Sequence, residues 1–227
     1  MIFRQLFDSE SWTYTFLIAD ETTREAIIID SVRDQTEREL KLLEEMDLKL
    51  VYAIDTHVHA DHITALGRLR AATGCKTGYS VHGGVECADL SLKDGDELTF
   101  GKYTLKVLET PGHTPGCISF YVDGMVFSGD ALLIRGCGRT DFPGGNANDL
   151  YHSINDKLMT LPDDTLVYPG HDYSGKMVST IGEEKKHNPR LALDEDGFVD
   201  LMNNLNLELP KQLHEALPAN KSCGEGI

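Results

Sequence analysis

The sequence is poor in the features that mark several classes of protein. Its apolar runs, such as residues 26–29 and 125–127, are strand-sized, whereas a membrane-spanning helix needs about 20 apolar residues. Basic residues are few, with 21 Lys and Arg against 37 Asp and Glu, and the formal net charge is −16. Such a surface repels phosphate backbones. We therefore expect neither a membrane span nor a nucleic-acid partner.

Cysteine is also sparse, and no Cys-x-x-Cys pair occurs among the five present: Cys75, Cys87, Cys117, Cys137 and Cys223. An odd, scattered set argues against a disulfide framework and against a thiolate zinc site. Residues 1–10 contain neither a basic segment followed by an apolar core nor an Arg- and Ser-rich helix without acidic residues. The sequence predicts a cytoplasmic protein without a targeting segment.

What the sequence does have is the composition of a globular protein, with 41% hydrophobic and 26% charged residues over 227 positions. Its apolar patterns predict strands at 2–7, 14–19, 25–30, 50–55, 77–80, 97–100, 103–109, 117–122, 125–128 and 165–168. They predict helices at 33–46, 61–73, 149–160, 174–187 and 198–204. This order indicates an α+β fold in which two sheets pack together with helices outside. We expect one domain over 1–190, with a C-terminal extension over 191–227 packed on it.

A cluster of metal-ligand side chains follows the strand at 50–55, namely His57, His59, Asp61 and His62. If the chain stays extended through His59, His57 and His59 point to one side, while Asp61 and His62 open the next helix as caps. A single histidine after a strand is usually structural. Three imidazoles this close would repel one another when protonated and would gain nothing in packing without a metal. The cluster therefore predicts a metal site.

Three further residues of ligand type stand at the ends of predicted strands: His113, Asp130 and His171. His113 lies in a loop stiffened by two prolines and freed to turn by two glycines. Each residue alone is common turn chemistry. Together, downstream of the histidine cluster, they predict a complete ligand set.

These motifs in this order resemble the metallo-β-lactamase superfamily: Thr-His-x-His-x-Asp-His, then Pro-Gly-His-Thr-Pro-Gly, Ser-Gly-Asp and Pro-Gly-His. The resemblance implies an αββα sandwich with its site at one edge of the two sheets. The superfamily includes thioester hydrolases, lactamases, nucleases and dioxygenases, so the fold does not choose the reaction.

Narrower motifs, at residues 56–64, 133–142, 187–191 and 218–220, resemble the persulfide dioxygenase family. Members of that family oxidise the outer sulfur of glutathione persulfide with O2 to sulfite and glutathione, a step of sulfide oxidation. The resemblance implies one Fe(II) per chain, held by His57, His113 and Asp130. Two neutral imidazoles and one carboxylate on one face of a metal leave three positions open for the substrate sulfur and O2.

Other readings stay open on the residues alone. His59, Asp61, His62 and His171 either support the single iron by hydrogen bonds or hold a second metal, as in a glyoxalase II-like glutathione thioester hydrolase. That family carries a longer helical C-terminal part than the chain has after His171. A non-catalytic metal-dependent sensor is a third reading, although the ligand set reserves open positions that a structural site would close.

The substrate contacts are less specific. Arg139 either binds the substrate or forms an ion pair with Asp141, and Tyr173 either donates its hydroxyl to an iron-bound ligand or simply packs. Cys137 is either a redox-sensitive thiol or a buried neutral one. The cations that could receive the carboxylates of glutathione are Lys176, Lys185, Lys186 and Arg190. Related proteins make a homodimer one candidate assembly.

Overall fold

Two six-stranded sheets face each other in the structure, a computed structural model that describes residues 1–225. The first sheet has the order β1 (Ile2–Asp8), β2 (Thr13–Ala19), β3 (Glu25–Ile29), β4 (Lys49–Ile54), β5 (Lys76–Ser80) and β6 (Leu90–Leu92). The second has the order β12 (Ser179–Thr180), β11 (Leu166–Pro169), β10 (Met125–Gly129), β9 (Ile118–Val122), β8 (Tyr103–Glu109) and β7 (Glu97–Phe100). The α+β sandwich predicted from the sequence is confirmed.

Helices cover the outer faces of both sheets. They are α1 (Thr36–Glu45), α2 (Leu66–Thr73), α3 (Ala147–His152), α4 (Ile181–His187), α5 (Glu195–Asn203) and α6 (Leu213–Lys221). Helical turns over Ser153–Lys157 and Leu158–Thr160 continue α3. Within residues 1–225, no helix combines the length and the apolar character that crossing a bilayer requires.

Strand β2 shows how the layers form, because all seven of its residues are buried. Its side chains alternate between the two faces of the sheet. Phe16 and Ile18 join the core between the sheets, whereas Leu17 and Ala19 join the core between the first sheet and its helices. Complete burial of β2 follows from this four-layer arrangement.

The predicted hairpin at Asp123-Gly124 is confirmed between β9 and β10, which pair antiparallel. Both turn residues have positive φ, 48° and 77°, as a two-residue hairpin turn requires.

Two predicted helices begin too early. The helix expected from Asp61 begins at Leu66, because the Asp61 carboxylate contacts buried histidines and does not cap backbone N–H groups. The helix expected from Ser174 begins at Ile181, where the Thr180 hydroxyl accepts a hydrogen bond from the Glu183 backbone N–H. Threonine followed three residues later by glutamate is a capping-box pattern, so the sequence did contain this start signal.

The expectation of no disulfide was wrong, since Cys87 and Cys223 are bonded. They are 136 residues apart, and they meet because the end of α6 lies beside the loop that carries Cys87, where the Cys87 sulfur contacts the Lys221 carbonyl. The other three cysteines are free and buried. Strands β6 and β12 and helix α6 were not predicted, because the strands are only three and two residues long and α6 contains Pro218.

Candidate metal site

The carboxyl ends of β4, β8 and β10 carry three side chains to one point at the edge of the sandwich. His57, His113 and Asp130, here called the first group, each offer a ligand atom, and these atoms lie within 4.8 Å of one another. All three residues lie in loops just beyond their strands. The convergence predicted from the sequence is present, although β4 ends at Ile54 and His57 follows a bend rather than an extended strand.

Thr56 fixes which nitrogen of His57 faces the site. Its hydroxyl donates to the Asp30 carboxylate at 3.0 Å, so it can only accept from His57 Nδ1, which lies 3.0 Å away. The proton of His57 is therefore on Nδ1. The lone pair is on Nε2, the nitrogen free to bind a metal.

The other two members are oriented in the same way. His113 Nδ1 donates to the backbone carbonyl of Arg139 at 2.7 Å, which leaves the lone pair on Nε2. Oδ1 of Asp130 accepts from His171 Nδ1 at 2.7 Å, and Oδ2 lies 3.7 Å from His113 Nε2. Each residue of the first group thus has one atom held and one electron pair directed to a common point.

The charge states suit a metal. Burial holds the pKa of His57 well below its usual value, and the neighbouring His59 lowers it further, so the ring is neutral. Burial alone would raise the pKa of Asp130, but His171, His113 and His57 together outweigh burial and lower it, so the carboxylate is ionised. A neutral imidazole and an ionised carboxylate are the forms that bind a divalent cation.

His59, Asp61, His62 and His171, here called the second group, bond mainly to one another and to their neighbours. His171 Nε2 lies 3.0 Å from Asp61 Oδ2, so the ring of His171 bridges Asp61 and Asp130. His62 Nδ1 lies 2.9 Å from the same Asp61 oxygen, and the Thr13 hydroxyl contacts both histidines and Asp61.

The pKa values in the second group follow from these contacts. Burial opposes the charge on His171, but Asp130 and Asp61 outweigh it and raise its pKa well above the usual value. Burial also opposes the charge on His59, yet Asp30, 3.2 Å from Nε2, raises its pKa to about 9. His59 Nδ1 and His62 Nε2 are buried and have no hydrogen-bond partner among residues 1–225.

Three residues that hold the site were missed at the sequence level: Thr13, Asp30 and Asn220. Asp30 could have been found, because it ends an apolar strand that pairs parallel with β4, and parallel strands bring their carboxyl ends to one edge. Its carboxylate also accepts from the Thr56 backbone N–H at 2.7 Å. Thr13 and Asn220 carried no local signal.

The two predicted substrate contacts, Arg139 and Tyr173, have different surroundings. The Arg139 guanidinium forms the ion pair with Asp141, at 2.6 and 2.7 Å, and also donates to the carbonyls of Leu207 and Glu208. The alternative of an ion pair therefore accounts for its side chain. Tyr173 is 68% exposed, and its ring stacks parallel to that of His171, with the ring centres 6.0 Å apart.

Two of the four basic residues expected to receive glutathione carboxylates, Lys185 and Arg190, are engaged by other groups. Lys185 pairs with Asp163 at 2.6 Å. Arg190 donates to the carbonyl of Cys137 at 2.7 Å and to its sulfur at 3.1 Å. Cys137 is buried, and burial raises its thiol pKa, so it is the neutral cysteine of the two alternatives.

A cavity of about 250 Å³ lies beside the first group. Val58 and Thr114, the neighbours of His57 and His113 in sequence, form part of its wall, and Phe142 forms another part. The Phe142 ring centre lies 5.3 Å from that of His113. His82 and Lys221 also line the cavity.

Comparison with known proteins agrees with the resemblance that the sequence motifs indicate. Residues 13–171 match the profile of the metallo-beta-lactamase superfamily. The chain is 49% identical to human "Persulfide dioxygenase ETHE1, mitochondrial", over 99% of this chain and 89% of the human sequence.

Solved structures agree. The crystal structure of ETHE1 from Myxococcus xanthus is 54% identical, with a TM-score of 0.97 over 99% of this chain and 100% of that one. A metallo-beta-lactamase from Staphylococcus aureus is 27% identical, with a TM-score of 0.91 over 99% of this chain and 73% of that one. The human relative is named as a mitochondrial protein, and a cytoplasmic location for this chain stays a prediction.

Proposed function

We propose that this chain, which belongs to the metallo-β-lactamase superfamily and within it to the persulfide dioxygenase ETHE1 family, is an Fe(II)-dependent persulfide dioxygenase. The observation that carries the metal part of the proposal is the convergence of three free electron pairs, on His57 Nε2, His113 Nε2 and Asp130 Oδ2. Two imidazoles and one carboxylate are the ligand set of non-haem Fe(II) oxygenases.

Glutathione persulfide is the proposed substrate, with sulfite and glutathione as products. Four electrons pass from the persulfide to one O2, water supplies the third oxygen of sulfite, and the inner sulfur leaves as the glutathione thiol. Bound iron supplies the one-electron chemistry that lets O2 react with a closed-shell sulfur compound, which no side chain provides.

The chain's own residues do the positioning. Thr56 and the Arg139 carbonyl fix the two histidine rings, and His171 holds Asp130 by its Oδ1. Such outer contacts orient ligands and tune the metal they bind. The cavity beside the first group accommodates part of the substrate, and Lys221 is the cation there that would receive a glutathione carboxylate.

Thioester hydrolysis with two metals is the weaker candidate. A second metal would need electron pairs from Asp61, His62 and His171, but the ring of His171 is bonded through both nitrogens, to Asp130 and to Asp61. Of these two histidines, only His62 has a nitrogen, Nε2, without a partner among residues 1–225. The second group therefore supports the first group in the proposed enzyme. A homodimer stays a prediction, which sedimentation of the iron-loaded protein would check.

The test is O2 consumption by protein loaded anaerobically with Fe(II), after addition of glutathione persulfide, with sulfite assayed in the same sample. We expect one sulfite per O2 consumed. This activity is lost in Asp130→Ala and retained in Asp163→Ala, which removes an exposed carboxylate paired with Lys185. If protein with one equivalent of iron consumes no O2, while a two-metal preparation hydrolyses a glutathione thioester, the proposal is wrong.

A further inference from the structure

Helix α6 reaches the loop that carries the histidine cluster, here called the histidine loop (residues 57–64), through one side chain. Asn220 is fully buried. Its Nδ2 donates to the backbone carbonyls of His59 and His62, both at 2.8 Å, and its Oδ1 accepts from the Thr64 backbone N–H at 2.8 Å. Three backbone groups of the histidine loop are therefore held by one amide from the far end of the chain.

These contacts matter because residues 57–62 lie outside helices and strands, so no regular ladder fixes their backbone. Buried backbone groups without partners are costly, and here the side chain of Asn220 supplies the partners. The path of the loop sets the directions of the His57, His59 and His62 rings. Asn220 thus acts on the site through the loop, without touching a candidate ligand atom.

The segment after α6 is packed tightly against the same loop. The Gly67 backbone N–H donates to the Cys223 carbonyl at 2.9 Å, which caps the start of α2. A Cβ on Gly224, whose φ is 78°, would lie 2.1 Å from the Thr64 carbonyl oxygen. The disulfide between Cys223 and Cys87 joins this segment to the loop before β6. A covalent bond therefore holds Asn220 in register, three residues away.

We propose that Asn220 is a positioning residue for the metal centre and that the Cys87–Cys223 disulfide makes this positioning depend on redox state. The inference rests on the proposed function for the identity of the metal. In the reduced state two molecules of a low-molecular-weight thiol have given two electrons to the disulfide, which becomes two thiols while the donors form their own disulfide. The tail segment is then held only by non-covalent contacts.

The first test is the rate at which Fe(II) leaves the holoenzyme for a colorimetric chelator in excess. Loss of a residue that orients metal ligands typically weakens metal binding by about 10–100-fold. We expect Asn220→Ala to release iron at least about 10-fold faster than wild type. Asn220→Asp keeps the acceptor for Thr64 but loses both donors, and we expect an effect in the same direction, with an altered EPR signal of the iron–nitric oxide complex.

The matched control is Asp194→Ala. The Asp194 carboxylate accepts from the Gly197 backbone N–H at 3.0 Å and caps α5, which packs on the second sheet and not on the histidine loop. If Asp194→Ala, at a similar melting temperature, speeds iron release as much as Asn220→Ala does, Asn220 contributes only general stability and the positioning role is wrong.

The redox part is tested with dithiothreitol on anaerobic holoenzyme. We expect reduction to speed iron release severalfold in wild type, Cys87→Ser to release iron at the reduced wild-type rate, and dithiothreitol to leave that variant unchanged. An unchanged rate on reduction of wild type, with both thiols shown by mass spectrometry, would contradict the redox dependence. None of these readouts uses persulfide turnover, so a failed dioxygenase assay and a failed Asn220 test are distinguishable.

Discussion

The first and second groups contain the same residue types, histidine and aspartate, at the same sheet edge, yet they differ in what their atoms face. In the first group each residue has one atom fixed by an outside partner and one electron pair left over. In the second group Asp61 is shared by His62 and His171. The two groups therefore differ most at His171, which is bonded through both ring nitrogens, whereas His59 Nδ1 and His62 Nε2 have no partner among residues 1–225.

The largest expected effect comes from removing a member of the first group. Asp130→Ala takes away the negative ligand and leaves His171 without its 2.7 Å partner. We expect loss of bound iron and a fall in persulfide oxidation of about 1,000-fold or more, because the metal's charge stabilisation is worth several kcal/mol. Iron content by atomic absorption and O2 uptake measure the two losses, and full iron content in the variant would remove Asp130 from the ligand set.

A smaller effect is expected in the second group. In His171→Gln, the glutamine side chain can replace only one of the two contacts that the imidazole ring makes, with Asp130 and Asp61. Asp130 is therefore held less firmly. We expect activity to fall by about 10–100-fold while close to one iron per chain is retained. Iron content separates the two roles: loss of the metal in this variant would make His171 a ligand and reverse the comparison.

Two threonines sharpen the comparison further, because each places a hydroxyl against one group. Thr56→Val removes the acceptor that sets the tautomer of His57, and Thr13→Val removes the hydroxyl that contacts Asp61, His62 and His171. We expect about a 10-fold loss of activity for Thr56→Val and about fivefold or less for Thr13→Val, the effect of one hydrogen bond. A larger loss of activity in Thr13→Val than in Thr56→Val, at equal iron content, would contradict the comparison.

Glu39 shows what happens to a buried carboxylate without histidine partners. It is fully buried in α1, and neither oxygen has a hydrogen-bond partner among residues 1–225. Burial raises its pKa to about 8, with Arg38 opposing the shift. This is the opposite of Asp61, where burial is outweighed by His171 and His62, which hold the pKa well below its usual value.

The raised pKa of Glu39 predicts a pH effect on stability and none on turnover. The folded protein keeps the proton that the unfolded chain loses near its ordinary pKa of 4.5, so this stabilisation is present below that pH and is lost as the pH rises through about 8. Each pKa unit corresponds to about 1.4 kcal/mol. We expect metal-free wild type to lose a few kcal/mol of unfolding free energy between about pH 5 and pH 8 relative to Glu39→Gln.

Urea unfolding of the two proteins, both metal-free so that metal loss does not contribute, measures this difference. Parallel pH profiles would show that Glu39 is ionised in the folded state. Glu39 would then be ionised in the folded protein, as Asp61 is, and the contrast between the two carboxylates would be wrong.

Much of the fold and of the first group could be predicted because the signals are local. Apolar alternation marked the strands. Asp130 follows β10 directly, and His57 and His113 lie three and four residues beyond the ends of β4 and β8. Burial and strand order then bring the ends of the strands to one edge.

What could not be predicted depends on contacts distant in sequence. The histidine loop continues to Thr64 without becoming helical because Asn220, 156 residues away, binds the Thr64 N–H. Cys87 and Cys223 are separated by 136 residues, and no local pattern indicates that they pair. The side chain of Arg139 is occupied partly by carbonyls of residues 207 and 208, which no local pattern indicates.

The most direct test of the central claim is anomalous diffraction at the iron absorption edge from crystals of the Fe(II)-loaded protein. We predict one iron peak per chain, bounded by His57 Nε2, His113 Nε2 and Asp130 Oδ2. Two peaks of comparable height, or a single peak bounded by His59, Asp61 and His62, would contradict the assignment of the first group as the metal ligands and the second as their support.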